Sequence, residues 1–164
     1  MTTVIGVAQC AVSANPAESI VTYALGSCIA IAVHDPVTKV GGLLHYLLPD
    51  VEGDTTRRRD NPFLCANTGI PELLNRCMQL GARKHRLSIC AAGGASVLDR
   101  SDFFNVGHKN HLGLRKALSE AGLTIHAEAI GGYVSRSVRL DIGTGKCWVS
   151  EETRPATELL LLSV

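Results

Sequence analysis

The sequence predicts an α/β sandwich of the α+β kind, in which mixed, largely antiparallel β-sheets with β-hairpins are flanked by two main helices. Short apolar runs are numerous, and two of them, residues 29–33 and 42–48, enclose the turn signal Asp35-Pro36. Only two segments repeat apolar residues at helical spacing. The order strands, helix, strand, helix, strands lacks the regular alternation of a doubly wound parallel sheet.

Size and composition indicate one globular domain, residues 1–164, with a core over about residues 4–150 and a Leu-rich C-terminal tail over 151–164. The chain is 46% hydrophobic and 19% charged, a balance typical of folded proteins and not of disordered ones. Its formal net charge of +1 gives no reason to expect a nucleic-acid or membrane partner.

The cysteines and the N-terminus predict a cytoplasmic protein. No apolar run reaches the roughly 18 residues that span a bilayer. Residues 1–10 lack the basic start and the long apolar stretch of a signal peptide. In that compartment the six cysteines are expected to be thiols and not disulfides. No two of them have the Cys-x-x-Cys spacing of a zinc site.

The first part of the chain is predicted to consist of strands. Residues 4–12 are apolar and β-branched, which predicts a first strand, and residues 20–23 predict a short second one. The continuous apolar run 29–33 predicts a buried strand, and residues 42–48 are its expected hairpin partner.

A polar loop and a helix are predicted next. Residues 50–61 contain Arg57-Arg58-Arg59 and predict an exposed loop. Pro71 suits the first turn of the following helix and Gly81 its end. The apolar residues at helical spacing are Ile70, Leu73, Leu74, Cys77 and Met78.

The last part of the chain predicts one more helix among strands. The helix spans residues 112–121 and ends at Gly122. The strands are expected at residues 87–92, 124–130, 138–142 and 146–150. The tail ends in four leucines, residues 159–162, which either dock on the body of the protein or meet a partner.

The predicted hairpin places a cysteine opposite a histidine. With the turn centred on Pro36-Val37, Cys28 faces His45, and directly opposed residues have Cβ atoms about 4.5–5.5 Å apart. A histidine at that distance takes the thiol proton and later returns a proton to a leaving group. An odd loop length, or a bulge at Gly41-Gly42, shifts the partner by one residue and turns it to the other face.

Cys28 is therefore a candidate nucleophile. Gly26 permits a sharp bend just before it. A bend at Gly26 and Ser27 presents backbone N–H groups near the sulfur, where they lower the pKa of the thiol and hold an oxyanion. The alternative is a core thiol beside a satisfied strand histidine. The local pattern alone favours this alternative, because buried free cysteines are common.

Thr22 is a candidate third member of the site, because a third group orients the imidazole in other triads. Along a continuous strand Thr22 lies about 20 Å from Cys28, at ~3.3 Å per residue. Both reach His45 only if the chain reverses near residues 25–27. The alternative is an ordinary β-branched strand residue.

Other motifs give weaker signals. His108 and His111 are three residues apart and predict a pair at a helix start, not a metal site, because no third ligand is evident. Residues 143–146, Gly-Thr-Gly-Lys, lack the remaining residues of a phosphate-binding loop. No metal and no cofactor are expected.

Several short segments together carry a resemblance to a known family. The strongest are Leu25-Gly26-Ser27-Cys28 and Val40-Gly41-Gly42-Leu43-Leu44-His45, which is followed by Leu48-Pro49. The others are Gly93-Gly94-Ala95, Val106-Gly107-His108-Lys109-Asn110, Gly131-Gly132 and Thr144-Gly145-Lys146. With these segments, about residues 4–150 resemble the CheD family, the chemoreceptor glutamine deamidases of bacterial chemotaxis.

The resemblance implies a cysteine amidohydrolase with no metal or cofactor. It implies that Cys28 is the nucleophile, His45 the base and acid, and Thr22 the hydroxyl that orients His45. Ser27 and Gly26 are the expected backbone support for an oxyanion. Glutamine side chains of methyl-accepting receptors become glutamates through a Cys thioester, and some relatives are also credited with hydrolysing receptor glutamyl methyl esters.

The implied partners are the cytoplasmic domains of chemoreceptors, as substrates, and a CheC-like phosphatase of the phosphorylated response regulator. Two alternatives are kept beside the enzyme. One is a binding or regulatory module for that phosphatase, with deamidation minor. The other is a structural domain with six buried thiols.

Overall fold

Two five-stranded β-sheets and two α-helices make up the computed structural model, which describes residues 1–50, 60–98, 104–152 and 154–159. The strands are β1 (Thr2–Ile5), β2 (Gln9–Ser13), β3 (Ser19–Leu25), β4 (Ile29–Asp35), β5 (Val40–Tyr46), β6 (Ser88–Gly93), β7 (Ala127–Ile130), β8 (Arg136–Asp141), β9 (Cys147–Glu151) and β10 (Arg154–Leu159). The helices are α1 (Ala66–Gln79) and α2 (Val106–Glu120).

The two sheets stack face to face, and both helices cover the outer face of the second sheet. The first sheet has the strand order β1-β3-β8-β9-β10 and the second the order β2-β5-β4-β6-β7. Among the described strands only the β1–β3 and β6–β7 pairs are parallel. The predicted class, a sandwich of mixed and largely antiparallel sheets flanked by two helices, is therefore confirmed.

The alternation of side chains along β4 shows how the layers are built. Ile29 and Ile31 pack in the core that the second sheet forms with α1 and α2. Ala30 and Ala32 point to the opposite face, as neighbours in a strand must, and pack in the core between the two sheets. Each face of this central strand is thus buried, which explains its unbroken apolar sequence.

The prediction of one strand over residues 4–12 is wrong, because the chain turns at residues 6–8. Ala8 has a φ of 57°, and the Gly6 N–H donates to Gln9 Oε1 at 2.7 Å. β1 pairs in the first sheet and β2 in the second. The apolar run conceals the turn, because both of its halves are strands.

The first helix begins earlier than the sequence predicts. α1 starts at Ala66, so Pro71 lies inside the helix and not in its first turn. A 3₁₀ turn at Pro62–Leu64 leads into α1, and the Thr68 hydroxyl donates to the Pro62 carbonyl at 2.6 Å. Proline at the first position is a preference only, and here helical hydrogen bonding starts before it. The end is as predicted, with Gly81 just beyond the helix at a φ of 106°.

The remaining predicted strands and the second helix are confirmed, with shifted ends. α2 starts before residue 112, so His108 and His111 lie in its first half, as the predicted pair at a helix start. β10 pairs antiparallel with β9, so residues 154–159 of the tail dock on the first sheet. The rest of the leucine run, residues 160–162, the last two residues of the chain and the Arg57-Arg58-Arg59 segment lie outside the described residues.

All six cysteines lie in the described residues, and none forms a disulfide, as predicted. Cys65, Cys77, Cys90 and Cys147 are buried. Cys10 and Cys28 are only partly buried. None of the described helices has the length and apolar character needed to cross a bilayer.

Candidate active site

The predicted hairpin between β4 and β5 is confirmed, but its predicted register is wrong by two residues. His45 pairs with Ala30 and not with Cys28, because residues 36–39 form a four-residue connection in which Lys39 N–H donates to the Asp35 carbonyl at 2.9 Å. A shift of two residues keeps every side chain on its face. Cys28 directly precedes β4 and packs, like Ala30, against the core between the sheets.

Thr22 reaches His45 because the chain changes sheet before Cys28. β3 belongs to the first sheet and β4 to the second, so residues 26–28, here called the Cys28 loop, cross between them. This crossing is the reversal that the sequence required near residues 25–27. A β-bulge follows Thr22 in the pairing of β3 with β8. Thr22 Oγ1 lies 2.8 Å from His45 Nδ1, and both residues are buried.

The Thr22 hydroxyl determines which ring nitrogen of His45 carries the proton. It donates to the Ile5 carbonyl at 2.9 Å, so its oxygen is left to accept from the imidazole. His45 therefore has its proton on Nδ1 and its lone pair on Nε2. Nε2 is buried and makes no hydrogen bond within the described residues. This nitrogen is free to accept a proton.

Burial sets the charge of both candidate groups. It lowers the pKa of the His45 imidazole to about 4, so the ring is neutral at neutral pH. It raises the pKa of the Cys28 thiol, and a hydrogen bond from the backbone N–H of Cys28 itself opposes the rise. The resting pair is a neutral thiol and a neutral imidazole. This state suits attack assisted by a general base.

The carbonyls of the Cys28 loop are all held from inside the protein. Gly26 O accepts from Ala95 N–H at 2.8 Å, and Cys28 O accepts from Gly94 N–H at 2.9 Å. Ser27 O accepts from the side-chain amide of Asn110 at 2.8 Å. In a trans peptide the carbonyl and the following N–H point in opposite directions. The N–H groups of Ser27 and Cys28 therefore point away from these anchors.

A cleft of about 310 Å³ opens beside Cys28. Its walls come from the Cys28 loop, from Ala95 and Val97 after β6, and from Val106 at the start of α2. Val97 and Leu98 are exposed apolar side chains at this cleft. Such walls favour an uncharged group over a charged one, because an ion pays a larger desolvation cost on entry.

The individual importance of Asn110 was not predicted, because the sequence presents it only within a longer motif. Asn110 is fully buried on α2, and its amide Nδ2 donates to Ser27 O at 2.8 Å and to Leu47 O at 2.9 Å. Its position in the helix was the signal that could have revealed it. It is the one polar side chain among the buried helix positions 107, 110, 114, 117 and 118.

His111 of α2 binds an acidic residue away from this arrangement. His111 Nε2 lies 3.0 Å from Glu128 Oε2 on the surface, and Arg115 also binds Glu128, at 2.8 Å. Within the part of the chain that the structure describes, no three His, Cys, Asp or Glu side chains are grouped to hold a metal ion.

Comparison with known proteins gives a consistent family. The family model described as CheD chemotactic sensory transduction matches residues 47–151. A probable chemoreceptor glutamine deamidase CheD of Solibacter usitatus is 47% identical over 90% of this chain and 88% of its own. The probable chemoreceptor glutamine deamidase CheD 1 of Syntrophus aciditrophicus is 44% identical over 95% of this chain and 98% of its own. The chemoreceptor glutamine deamidase CheD of Thermotoga maritima is 41% identical, with 91% of each chain covered.

The family match begins after the candidate site, but the matches to relatives include it. The match to the first relative covers 148 of the 164 residues. The few unmatched residues cannot reach from either end of the chain to positions 22, 28 and 45. Both the family match, which spans more than half of the chain, and the relatives point to one assignment. The chain therefore belongs to the CheD family.

Proposed function

We propose that the protein deamidates glutamine side chains of chemoreceptors to glutamate, and that Cys28, His45 and Thr22 carry the reaction. The observation that supports this most is the Thr22-bound imidazole of His45, with a buried and unpartnered Nε2 on the face that also carries Cys28. The relatives that are named chemoreceptor glutamine deamidases support the substrate class.

In the first half of the proposed reaction, Cys28 Sγ attacks the carboxamide carbon of the substrate glutamine. His45 Nε2 takes the thiol proton as the sulfur–carbon bond forms. The π electrons of the carbonyl move to its oxygen and give a tetrahedral oxyanion. The N–H groups of Ser27 and Cys28, which point away from the anchored carbonyls, are its proposed donors.

Collapse of this intermediate releases ammonia. The carbon–nitrogen bond breaks, the departing nitrogen takes the proton from His45, and a thioester to Cys28 remains. His45 then deprotonates water, which attacks the thioester carbon through a second oxyanion. The sulfur leaves and regains its proton from His45. The sum is amide plus water giving carboxylic acid plus ammonia, with no redox step.

The same proposal covers receptor glutamyl methyl esters. Attack, thioester formation and hydrolysis are unchanged, and methanol takes the place of ammonia as the leaving group. The apolar walls of the cleft accept the methyl group as readily as the carboxamide, since neither carries a charge.

The test is mass spectrometry of a receptor cytoplasmic fragment incubated with the protein, together with an assay for released ammonia. We expect glutamine-to-glutamate conversion with the wild type, none with Cys28→Ala, and little with His45→Ala. The matched control is Cys10→Ala, which removes the other partly buried cysteine and should leave the rate unchanged. Wild-type deamidation by Cys28→Ala would refute the mechanism.

We further propose that a CheC-like phosphatase binds this protein, and that the protein works in the cytoplasm. Val97 and Leu98 support a partner surface, because they leave apolar side chains exposed beside the cleft. The six free thiols support a reducing compartment. Cys28→Ala should still bind the phosphatase and Leu98→Ser should bind it less. Equal binding by both variants would place the partner elsewhere.

A further inference from the structure

We infer that Asn110 is a positioning residue of this site: it fixes the orientation of the Ser27–Cys28 peptide group and so directs the Cys28 N–H toward the reacting oxygen. The inference rests on the proposed function, because it requires Cys28 to be the nucleophile. It concerns a side chain on α2 that acts through the backbone of the Cys28 loop.

The hydrogen bonds of Asn110 define its side-chain orientation. Nδ2 donates to two carbonyls, Ser27 O at 2.8 Å and Leu47 O at 2.9 Å. The flipped amide would set its oxygen against both of these acceptors, so only one orientation is possible. Oδ1 is buried and has no partner within the described residues. Within the described residues, the side chain thus uses both of its N–H donors and leaves its acceptor unpaired.

The carbonyl that Asn110 holds belongs to the same peptide group as the Cys28 N–H. A peptide group is planar, and the described residues contain no cis bond, so fixing Ser27 O also fixes the direction of that N–H. The backbone N–H of Cys28 opposes the effect of burial on the pKa of the thiol. Without Asn110 this peptide group loses its only side-chain anchor in the described part of the chain.

A second contact places Asn110 between the nucleophile and the strand of the base. The Tyr46 hydroxyl donates to the backbone carbonyl of Asn110 at 2.8 Å, and Tyr46 is fully buried next to His45. Leu47, the other carbonyl partner of the amide, follows Tyr46 directly. The side chain of Asn110 therefore joins the Cys28 loop to the residue that follows β5.

The experiment compares two variants of the full chain with a matched control. Asn110→Asp keeps the shape of the side chain and removes both donors, and Asn110→Ala removes the side chain. Leu114→Ala is the control, since Leu114 is equally buried one turn along α2 and packs only in the helix-side core. The readouts are kcat and KM for deamidation of the receptor fragment. A third readout is the pH midpoint of Cys28 alkylation by iodoacetamide, which mass spectrometry follows on the peptide that contains Cys28.

For both Asn110 variants we expect kcat about ten- to a hundredfold lower, with KM within about threefold of the wild type, because an oxyanion donor is misdirected. In Asn110→Ala the alkylation midpoint should rise, since the N–H no longer supports the thiolate. The midpoint is read in this variant because the carboxylate of Asn110→Asp would itself raise the pKa of the thiol. Leu114→Ala should lose stability and keep the midpoint.

The outcomes separate this inference from the proposed function. Deamidation by Cys28→Ala would refute the proposed function. An inactive Cys28→Ala, together with a wild-type kcat in both Asn110 variants and a wild-type midpoint in Asn110→Ala, would refute the inference alone. Hydrogen exchange of the Asn110 side-chain amide in the wild-type protein requires no variant to fold. Protection of both side-chain protons supports the two hydrogen bonds of Asn110 to Ser27 O and Leu47 O, and exchange as fast as at an exposed asparagine refutes them.

Discussion

Thr22 Oγ1 lies 2.8 Å from His45 Nδ1, and this contact joins the two sheets at the site. The imidazole is thus oriented by a neutral hydroxyl and not by a carboxylate. A carboxylate in that place stabilises the imidazolium. The hydroxyl supplies no such charge, and burial lowers the pKa of His45 to about 4. Orientation of the ring and choice of its tautomer are therefore the role we propose for Thr22.

Removal of the Thr22 hydroxyl should slow deamidation without abolishing it. In Thr22→Val the ring loses the acceptor that keeps the proton on Nδ1, and we expect kcat to fall about ten- to a hundredfold. Thr22→Ser keeps the hydroxyl and should stay within about threefold of the wild type. The measurement is steady-state ammonia release. Equal rates in Thr22→Val and Thr22→Ser would show that the hydroxyl has no orienting role.

The pH dependence of the rate should follow the buried imidazole. His45 must be neutral to accept the thiol proton, and its pKa is about 4. The acid limb of kcat/KM is therefore expected near pH 4, well below the value of a solvated histidine. Refolding controls at neutral pH after each measurement separate this limb from acid denaturation. An acid limb between about pH 6 and 7 would mean that His45 is solvated in the working enzyme.

His45 should also make the folded state sensitive to acid. The imidazole titrates at about 4 in the folded protein and at 6.5 in the unfolded chain, so between these values the unfolded chain binds more protons. The free energy of unfolding should fall by about 3 kcal/mol as the pH decreases from about 6.5 to about 4.

Burial also lowers the pKa of His34, so His34 too makes the free energy of unfolding fall as the pH decreases. A comparison between variants is therefore required. Urea unfolding of the wild type and of His45→Gln at pH 7 and pH 5 gives the difference that belongs to His45. A fall of equal size in both proteins would assign the acid sensitivity to other groups.

The close approach of β6 to the Cys28 loop gives a steric prediction. A Cβ at Gly93 would overlap the Cys28 carbonyl oxygen, and Gly93 has a φ of 119°. Gly93→Ala should displace the loop and lower both kcat and the alkylation rate of Cys28. Gly81→Ala is the control, because Gly81 has a φ of 106° with nothing within 4 Å of its Cβ. It should lose about 1 kcal/mol of stability and keep its activity.

The layers and the β4–β5 hairpin could be predicted from the sequence, because alternation and turn residues are local signals. The pairing of Cys28 with His45 as catalytic groups came from the resemblance and stays a prediction. The exact register was not predictable in the same way. In the structure the Asp35 side chain accepts from the Val37 N–H and the Asp35 carbonyl accepts from the Lys39 N–H, so the connection has four residues. The length of the connection could not be read from the sequence. The pair nevertheless stays on one face, since the error was an even number of residues.

Contacts between sheets lay beyond the local signals. The sequence required a reversal before Cys28 for Thr22 to belong to the site, and could not show that β3 and β4 lie in different sheets. The two hydrogen bonds of the Asn110 side chain exist because α2 passes the start of β4 and the end of β5. Such contacts follow from packing, and packing is set by all layers at once.

A substitution at the opposite end of β4 should lower the stability of the fold and leave kcat unchanged. Asp35 is fully buried, binds Arg86 at 2.7 Å and accepts from the Arg83 N–H at 2.8 Å. Asp35→Ala leaves these donors without an acceptor and should cost about 3 kcal/mol of stability. Its kcat should remain that of the wild type at temperatures where it is folded, because the Cys28 loop lies at the other end of the strand.

The matched control for Asp35 is Glu72→Ala, which breaks the half-buried pair of Glu72 with Arg76 and should cost less than about 1 kcal/mol. Urea unfolding measures both losses, and ammonia release at low temperature measures kcat. If Asp35→Ala lowered kcat tenfold while its stability changed no more than that of Glu72→Ala, the hairpin turn would be coupled to the site. The deamidation chemistry would then depend on the whole length of β4, and not on the end that carries Cys28.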